Sequence, residues 1–227
     1  MKTLLIIFAK EPIPGQVKSR LAPTLRPEDA ARLSEAFLRD CLEEMGRLPG
    51  LALAVAYSPA GARAFFQRLA PGALLFPQEG PDLGARMSRA LDAGFAAGFD
   101  AVLLRGSDTP DLPGRVILEA REVLAAGQAD VVLGPARDGG YYLIGCKGRA
   151  PRLFDDLSWS TAGVLEATLG LAARLGLAVH LLPGWQDIDT VADLLAFLGR
   201  GQAAPGPGWR SRRLAEELLA PRLKDAR

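Results

Sequence analysis

Two hydrophobic periods alternate along the chain and predict a three-layer α/β/α sandwich with a mostly parallel, mixed sheet. Short runs rich in aliphatic and β-branched residues recur at Thr3–Ala9, Leu51–Tyr57, Ala73–Phe76, Ala101–Leu104, Asp130–Gly134, Tyr141–Cys146 and Leu177–Leu182. Segments of helical spacing lie between most of them, and such alternation puts helices on both faces of a parallel sheet. One connection differs. Only Ala136–Gly140 separates two strand signals, too short for a crossover, and Asp138-Gly139 within it is a strong hairpin signal. One strand is therefore expected to run antiparallel, near the active edge of the sheet.

The first run, Thr3–Phe8, resembles the head of a signal peptide. It is short, however, and Lys10, Glu11, Pro12 and Pro14 follow it instead of a small-residue cleavage site, so it reads as a buried strand. From Pro27 to Met45, proline opens a helix, Glu28 and Asp29 suit the positive end of its dipole, and Leu33, Phe37, Leu38, Cys41, Leu42 and Met45 form one apolar stripe. Ala60–Leu69, Leu83–Ala97, Pro113–Ala126, Thr161–Leu175 and Val191–Leu198 carry the same spacing. After Gly199 the composition shifts to a Pro/Gly linker, Gly201–Gly208, and then a basic helical tail from Trp209 to Arg222. The expected organisation is one domain over residues 1–199, with linker and tail over 200–227.

At 227 residues and 49% apolar content the chain can bury a sizeable core. Its 27 basic and 26 acidic residues leave a formal charge of +1, too little field to hold nucleic acid or an anionic bilayer, and neither is expected as a partner. No apolar stretch approaches bilayer-spanning length. Cys41 and Cys146 are unclustered, which offers neither a zinc site nor a disulfide framework and fits a reducing cytoplasm.

Three segments carry the chemistry. The apolar run Ala101–Leu104 empties through Arg105, Gly106 and Ser107 into Asp108, Thr109, Pro110 and Asp111, and ligands of α/β proteins bind beyond the carboxyl ends of such strands. Asp108 is accordingly a candidate metal ligand, or else the cap of a proline-closed turn. The loop Phe8–Leu21, stiffened by two prolines, carries Lys10, Lys18 and Arg20, enough cations to neutralise a di- or triphosphate. It lacks the spacing of a P-loop and the glycine fingerprint of a dinucleotide fold. In the third segment, Asp187 and Asp189 would share one side of an extended strand, and Asp189 is either a helix N-cap or a ligand. Asp82 reads as the cap of a further helix, with Gly84 allowing close approach of a ligand or simply belonging to that helix. His180, the lone histidine, reads as a packing or surface residue.

Taken in order, these motifs resemble the nucleotide-diphospho-sugar transferase superfamily, the Rossmann-like glycosyltransferase-A type of fold, and within it the radical-SAM/selenodomain-associated transferase 1 group. The resemblance covers roughly residues 2 to 199. It rests on Phe8–Leu21 (F-A-K-x-P-x-P-G-x-V-K-S-R-L), Asp82–Met87, Gly106–Leu112, Gly134–Gly145, Trp159–Thr161 and Asp187–Thr190. Val17–Leu21 also resembles the loop of phospholactate guanylyltransferases, and Asp189-Thr190 the second metal site of the sugar cytidylyltransferases. The resemblance implies a metal-dependent transferase acting on a nucleoside triphosphate or nucleotide-sugar, with a small phosphorylated or hydroxylated acceptor. Nucleotidyl transfer stands narrowly ahead of glycosyl transfer. Mg²⁺ or Mn²⁺ would lie between Asp108 and Asp189. Ala9, Lys10, Gly15, Lys18, Arg20, Asp82, Gly84, Arg86 and Ser107 would bind the nucleotide. Asp138, Gly139, Gly140, Tyr141, Trp159 and Ser160 would meet the acceptor. Lys18, Asp108 and Asp138 would be catalytic, with Asp111 the other candidate base. A non-catalytic nucleotide-binding or scaffold module, reached through the arginines of the tail, is the alternative class, and pairing into a homodimer is left open.

Overall fold

The computed structural model describes residues 1–22, 24–148, 153, 154, 157, 159, 161–200 and 206–225, without the side chains of 221–225. Ser160 and most of the expected linker lie outside the described residues.

Strands β1 (Thr3–Lys10), β2 (Leu51–Ser58), β3 (Leu74–Pro77), β4 (Ala101–Gly106), β5 (Val131–Pro135), β6 (Tyr141–Lys147) and β7 (Val179–Leu181) form one sheet in the order β3-β2-β1-β4-β6-β5-β7. All seven coincide with the apolar runs. β6 alone is antiparallel, to β4 on one side and β5 on the other. It therefore lies inside the sheet and not at a border: the hairpin folds the chain back into the gap between β4 and β5. Leu4, Leu5, Ile6 and Ile7 of β1 are all fully buried, as a strand covered on both faces requires.

Alternation along β1 divides the core. Leu5 and Ile7 pack with α1 (Pro27–Gly46), α2 (Arg63–Leu69) and α4 (Gly114–Ala125). Leu4 and Ile6 face the opposite layer, α3 (Leu83–Ala96) and α5 (Val164–Arg174). The sandwich and its mixed sheet are thus the predicted fold class. A third cluster joins Leu21 after β1, Leu33 and Phe37 of α1, Leu194 and Phe197 of α6 (Val191–Gly199), and Ala215 of α7 (Trp209–Asp225). No helix among the described residues is long and apolar enough to cross a membrane.

The basic helical segment is not a free arm. Asp40, buried on α1, accepts from the Ser211 backbone N–H at 2.7 Å and hydroxyl at 2.5 Å, and pairs with Arg210 at 3.1 Å. A carboxylate at the start of a helix suits the helix dipole as well as the free N–H groups there. Arg212 donates to the carbonyls of Phe197 and Leu198 at the end of α6, both at 2.6 Å, and its guanidinium lies 4.9 Å from the Phe197 ring centre. Two arginines of the tail are thereby used within the fold.

Asp40→Ala leaves buried donors of Ser211 without partners and should lower the unfolding free energy by about 2 kcal/mol in urea titration. A change below about 0.5 kcal/mol would show that α7 is held by its apolar contacts alone.

Candidate active site

The carboxyl ends of β1 and β4 lie side by side and carry two of the three chemical segments. After β1, the Glu11 N–H donates to Ser58 O, Gly15 turns the chain with a left-handed φ of 78°, and the side chains of Val17 and Leu21 are buried. Between those two anchors Lys18 adopts φ 50°, the one non-glycine residue with a left-handed backbone among the described residues. With both neighbours' anchors pulling inward, its side chain follows and is only 5% exposed. Its ammonium donates to Asp108 Oδ1 at 2.7 Å, Asp189 Oδ1 at 2.9 Å and Ile188 O at 2.6 Å, and lies 5.5 Å from the Phe37 ring centre. The two carboxylates named from sequence, 81 positions apart by their numbering, thus meet on one cation.

Backbone bonds bring Asp189 there. Beyond β7 the chain continues along β5: Leu182 N–H donates to Leu133 O and Trp185 N–H to Pro135 O, and then Ile188 N–H donates to Asp108 O at 2.9 Å. Thr190, not Asp189, is the N-cap of α6, in a reciprocal capping box with Asp193. The cap-or-ligand ambiguity resolves on that point, because Thr190 takes the capping task and leaves the Asp189 carboxylate to Lys18.

Buried polar groups beneath the loop hold it still. Asp111 is fully buried, accepts from Trp185 Nε1–H at 3.0 Å, and forms an ion pair with Arg200 at 3.0 Å. A carboxylate so enclosed joins the two acidic loops, and it is out of reach of an acceptor in the cleft. Arg105, 1% exposed, donates to Gly106 O, Thr109 O and Thr109 Oγ1. Sequence reasoning missed Trp185, Arg105 and Arg200. A charged residue ending an apolar strand run was the available signal for Arg105.

Electrostatics concentrate on the same spot. Burial alone would favour the neutral amine of Lys18, but Asp108 and Asp189 outweigh it and raise its pKa above the ordinary lysine value. Asp187 is pushed up to about 7, first by burial and then by Asp108, Asp189 and Asp138, with Lys18 opposing. Asp187 therefore sits among three other carboxylates, with Lys18 the cation that opposes them. Among the described residues, no group of three or more His, Cys, Asp or Glu is arranged to hold a metal ion.

Beside this centre opens a cleft of about 610 Å³, lined by Ala9, Lys10, Lys18, Arg20, Asp82, Arg86, Ser107, Asp108 and Asp189 of the expected site residues. Gln78 and Leu83 line it too and were not foreseen. Gln78 Nε2 donates to Ala9 O and Ala56 O, stitching the ends of β1 and β2 together. Gly15 is exposed and does not line the cleft. Asp82 is the cap of α3, accepting from Ala85 N–H at 2.8 Å. Gly84 corrects an expectation: a methyl group there would stand 2.6 Å from the Trp159 ring, so its missing side chain admits the indole and not a ligand.

The residues expected at the acceptor divide. Asp138 is exposed at the β5–β6 turn, and its Oδ1 accepts from Gly140 N–H at 3.0 Å. Gly139, with φ 89°, lies directly against the Ala162 backbone, and its carbonyl accepts from Leu165 N–H. The tyrosine pair does not overhang the crevice. Successive residues of a strand point to opposite faces, so Tyr141 packs in the core layer of α3 and α5, and Tyr142 in the other, its hydroxyl donating to Pro183 O at 2.8 Å. Trp159 packs beside Phe154 with ring centres 6.1 Å apart. Ser160 lies outside the described residues. His180 pairs with Glu119 at 3.2 Å on β7, away from the cleft, in keeping with a packing or surface role.

A family model described as "Uncharacterized protein conserved in bacteria (DUF2064)" matches residues 29–161. A protein of Desulfovibrio desulfuricans G20 assigned as a nucleotide-diphospho-sugar transferase is 34% identical, with a TM-score of 0.89 over 97% of each chain. A CMP:2-keto-3-deoxy-manno-octonic acid synthetase, solved with CTP, is 12% identical with a TM-score of 0.56, over 88% of this chain and 99% of its own. Glucosyl-3-phosphoglycerate synthase of Mycobacterium tuberculosis, solved with Mn²⁺, UDP and glucosyl-3-phosphoglycerate, is 16% identical with a TM-score of 0.55, over 96% of this chain and 79% of its own. The last two likenesses concern the fold alone. No curated protein matches the chain. The superfamily and fold expected from the motifs are those found.

Between the ordinary value of 3.8 and about 7, the folded chain holds the Asp187 proton that the unfolded chain has released, so the metal-free protein loses stability as pH rises through that window. Asp187→Asn removes this loss. Thermal melts from about pH 4 to about pH 8 should fall less steeply for the variant than for the parent, and parallel curves would refute the assignment.

Proposed function

Because the chain belongs to the DUF2064 family, which shares its fold with nucleotide-handling transferases, we propose that it is a metal-dependent transferase acting on a nucleoside triphosphate or nucleotide-sugar. The observation that carries this reading is the convergence of Asp108 and Asp189 on one cation at the wall of a cleft lined by Lys10, Arg20 and Arg86. The donor set fits a divalent ion. Both ligands are hard carboxylate oxygens, the kind Mg²⁺ and Mn²⁺ prefer, and the ammonium of Lys18 already stands in as their counter-charge. Asp108 and Asp189 would hold the ion. When bound, it supplies charge neutralisation on phosphate oxygens.

The chain's own groups do the remaining work. Lys10, Arg20 and Arg86 bind phosphate oxygens, and the short side chains of Ala9 and Ser107 let the nucleotide come close to the backbone at the ends of β1 and β4. Lys18 completes the phosphate site. In nucleotidyl transfer, the acceptor oxygen forms a bond to the α-phosphorus, the bond to the diphosphate breaks, and Asp138 takes the acceptor's proton. Asp138 suits that task because it is exposed on the hairpin yet near enough to act on Asp187. Glycosyl transfer would use the same site, with the new bond at the anomeric carbon and a nucleoside diphosphate leaving. The number of cations around the cleft favours a triphosphate, hence nucleotidyl transfer. In the same reading, residues 1–199 carry the catalytic unit with α7 as its brace, and a reducing cytoplasm suits the free, buried thiols of Cys41 and Cys146.

The test is a thermal-shift panel of nucleoside triphosphates and nucleotide-sugars with Mn²⁺, run on the parent, Asp108→Asn and Asp189→Asn. The parent should be stabilised by one base class in a metal-dependent way, and both variants should keep their fold and lose that metal-dependent stabilisation. Nucleotide binding that ignores metal and survives Asp108→Asn would instead identify a non-catalytic binding module.

A further inference from the structure

The seat between Asp108 and Asp189 is full. An ammonium has three N–H groups, and all three of Lys18 are in use, on Asp108 Oδ1, Asp189 Oδ1 and Ile188 O. A Mg²⁺ or Mn²⁺ ion would stand about 2.0–2.5 Å from the same oxygens, which are 2.7 and 2.9 Å from the lysine nitrogen. Two cations cannot share those two Oδ1 atoms, and an ion on the second oxygen of either carboxylate, whose side chains are 42% and 38% exposed, would still face the like charge of Lys18.

The geometry limits where Lys18 can go. Its side chain is 5% exposed and enclosed by Phe37, so an ammonium driven off the two carboxylates finds little water to replace them. Leaving a buried charge unpaired is costly. Val17 and Leu21, both buried, anchor the loop on either side of Lys18. The cleft that Lys18 lines is bordered by Lys10, Arg20 and Arg86, so the group suited to receive the ammonium there is an anion attracted by those cations.

Resting on the metal-dependent reading above, we infer that Lys18 plugs the metal site, so that the protein excludes the free divalent ion and takes it up only with a polyphosphate that draws the ammonium away from Asp108 and Asp189. The substrate class is accordingly the metal complex of a di- or triphosphate. Lys18 exchanges one anionic partner for another during binding. An ion arriving alone meets a pair already engaged by an ammonium, whereas an ion arriving with phosphate brings the lysine its new partner.

Binding of Mn²⁺ alone, read by electron paramagnetic resonance of the free ion, tests this without any turnover assay. Lys18→Met should bind Mn²⁺ at least tenfold more tightly than the parent in the absence of phosphate, and Lys18→Arg should stay as weak as the parent. Equal affinities of parent and Lys18→Met would overturn the inference. Should Lys18→Met fail to fold, the parent still decides. Inorganic pyrophosphate should raise its uptake of Mn²⁺ at least tenfold, with no such gain in Asp108→Asn. A parent that binds Mn²⁺ equally well with and without pyrophosphate, losing it in Asp108→Asn, would keep the metal site and sink the plug. If Lys18→Met gains affinity that Asp108→Asn and Asp189→Asn do not remove, the ion lies elsewhere, and the proposed function fails instead.

Discussion

One buried ammonium between two carboxylates organises the working end of this molecule. Lys18 contributes little to either hydrophobic face of the sheet, yet it touches the loop after β4 and the segment before α6, and it belongs to the loop after β1. Three stretches distant in sequence are drawn together at that nitrogen. Neutralisation is local and incomplete, since Asp187 remains pushed up to about 7 by burial and by its acidic neighbours. A site with surplus negative charge beside a cationic cleft suits a ligand that carries both signs, as a metal-bound phosphate does.

The rest of the fold serves to fix that arrangement. Parallel β1 and β4 place their carboxyl ends in one row, and the inserted β6 turns the chain so that its hairpin arrives beside the acidic segment. Asp111 joins the two acidic loops through Trp185 and Arg200, and Arg105 fastens the backbone of Gly106 and Thr109 from below. Moving the loop would break the Trp185–Asp111 and Arg105–Thr109 hydrogen bonds and leave their buried groups without partners. The C-terminal helix continues this chain of support: α7 is seated on Asp40 of α1 and on the end of α6, the helix that begins immediately after Asp189.

Local signals in the sequence were enough for much of this. Runs such as Leu4–Ile7 have the continuous apolar character of strands buried on both faces, and the Asp138-Gly139 turn identifies the antiparallel return. Asp108 and Asp189 each had a local explanation as a cap, and it was the run of motifs in order, not either residue alone, that singled them out. What could not be read depends on distant partners. Gly84 looks like room for a ligand until Trp159, which no local rule connects to it, is found occupying the space. Tyr141 and Tyr142 look like a pair at a crevice mouth, but strand alternation sends them into opposite core layers. Lys18 was visible as a cation and not as a bridge, since a bridge is a property of the folded loops and not of their composition.

On the proposed reading, Asp108 and Asp189 serve a single cation, supplied by Lys18 or by a metal ion arriving with phosphate. A crystal structure with Mn²⁺ and a non-hydrolysable nucleoside triphosphate tests it most directly. One anomalous manganese peak bonded to both carboxylates is expected, with the Lys18 ammonium moved onto a phosphate oxygen. Nucleotide in the cleft with Lys18 still bridging the two aspartates, or manganese bound to other residues, would contradict it.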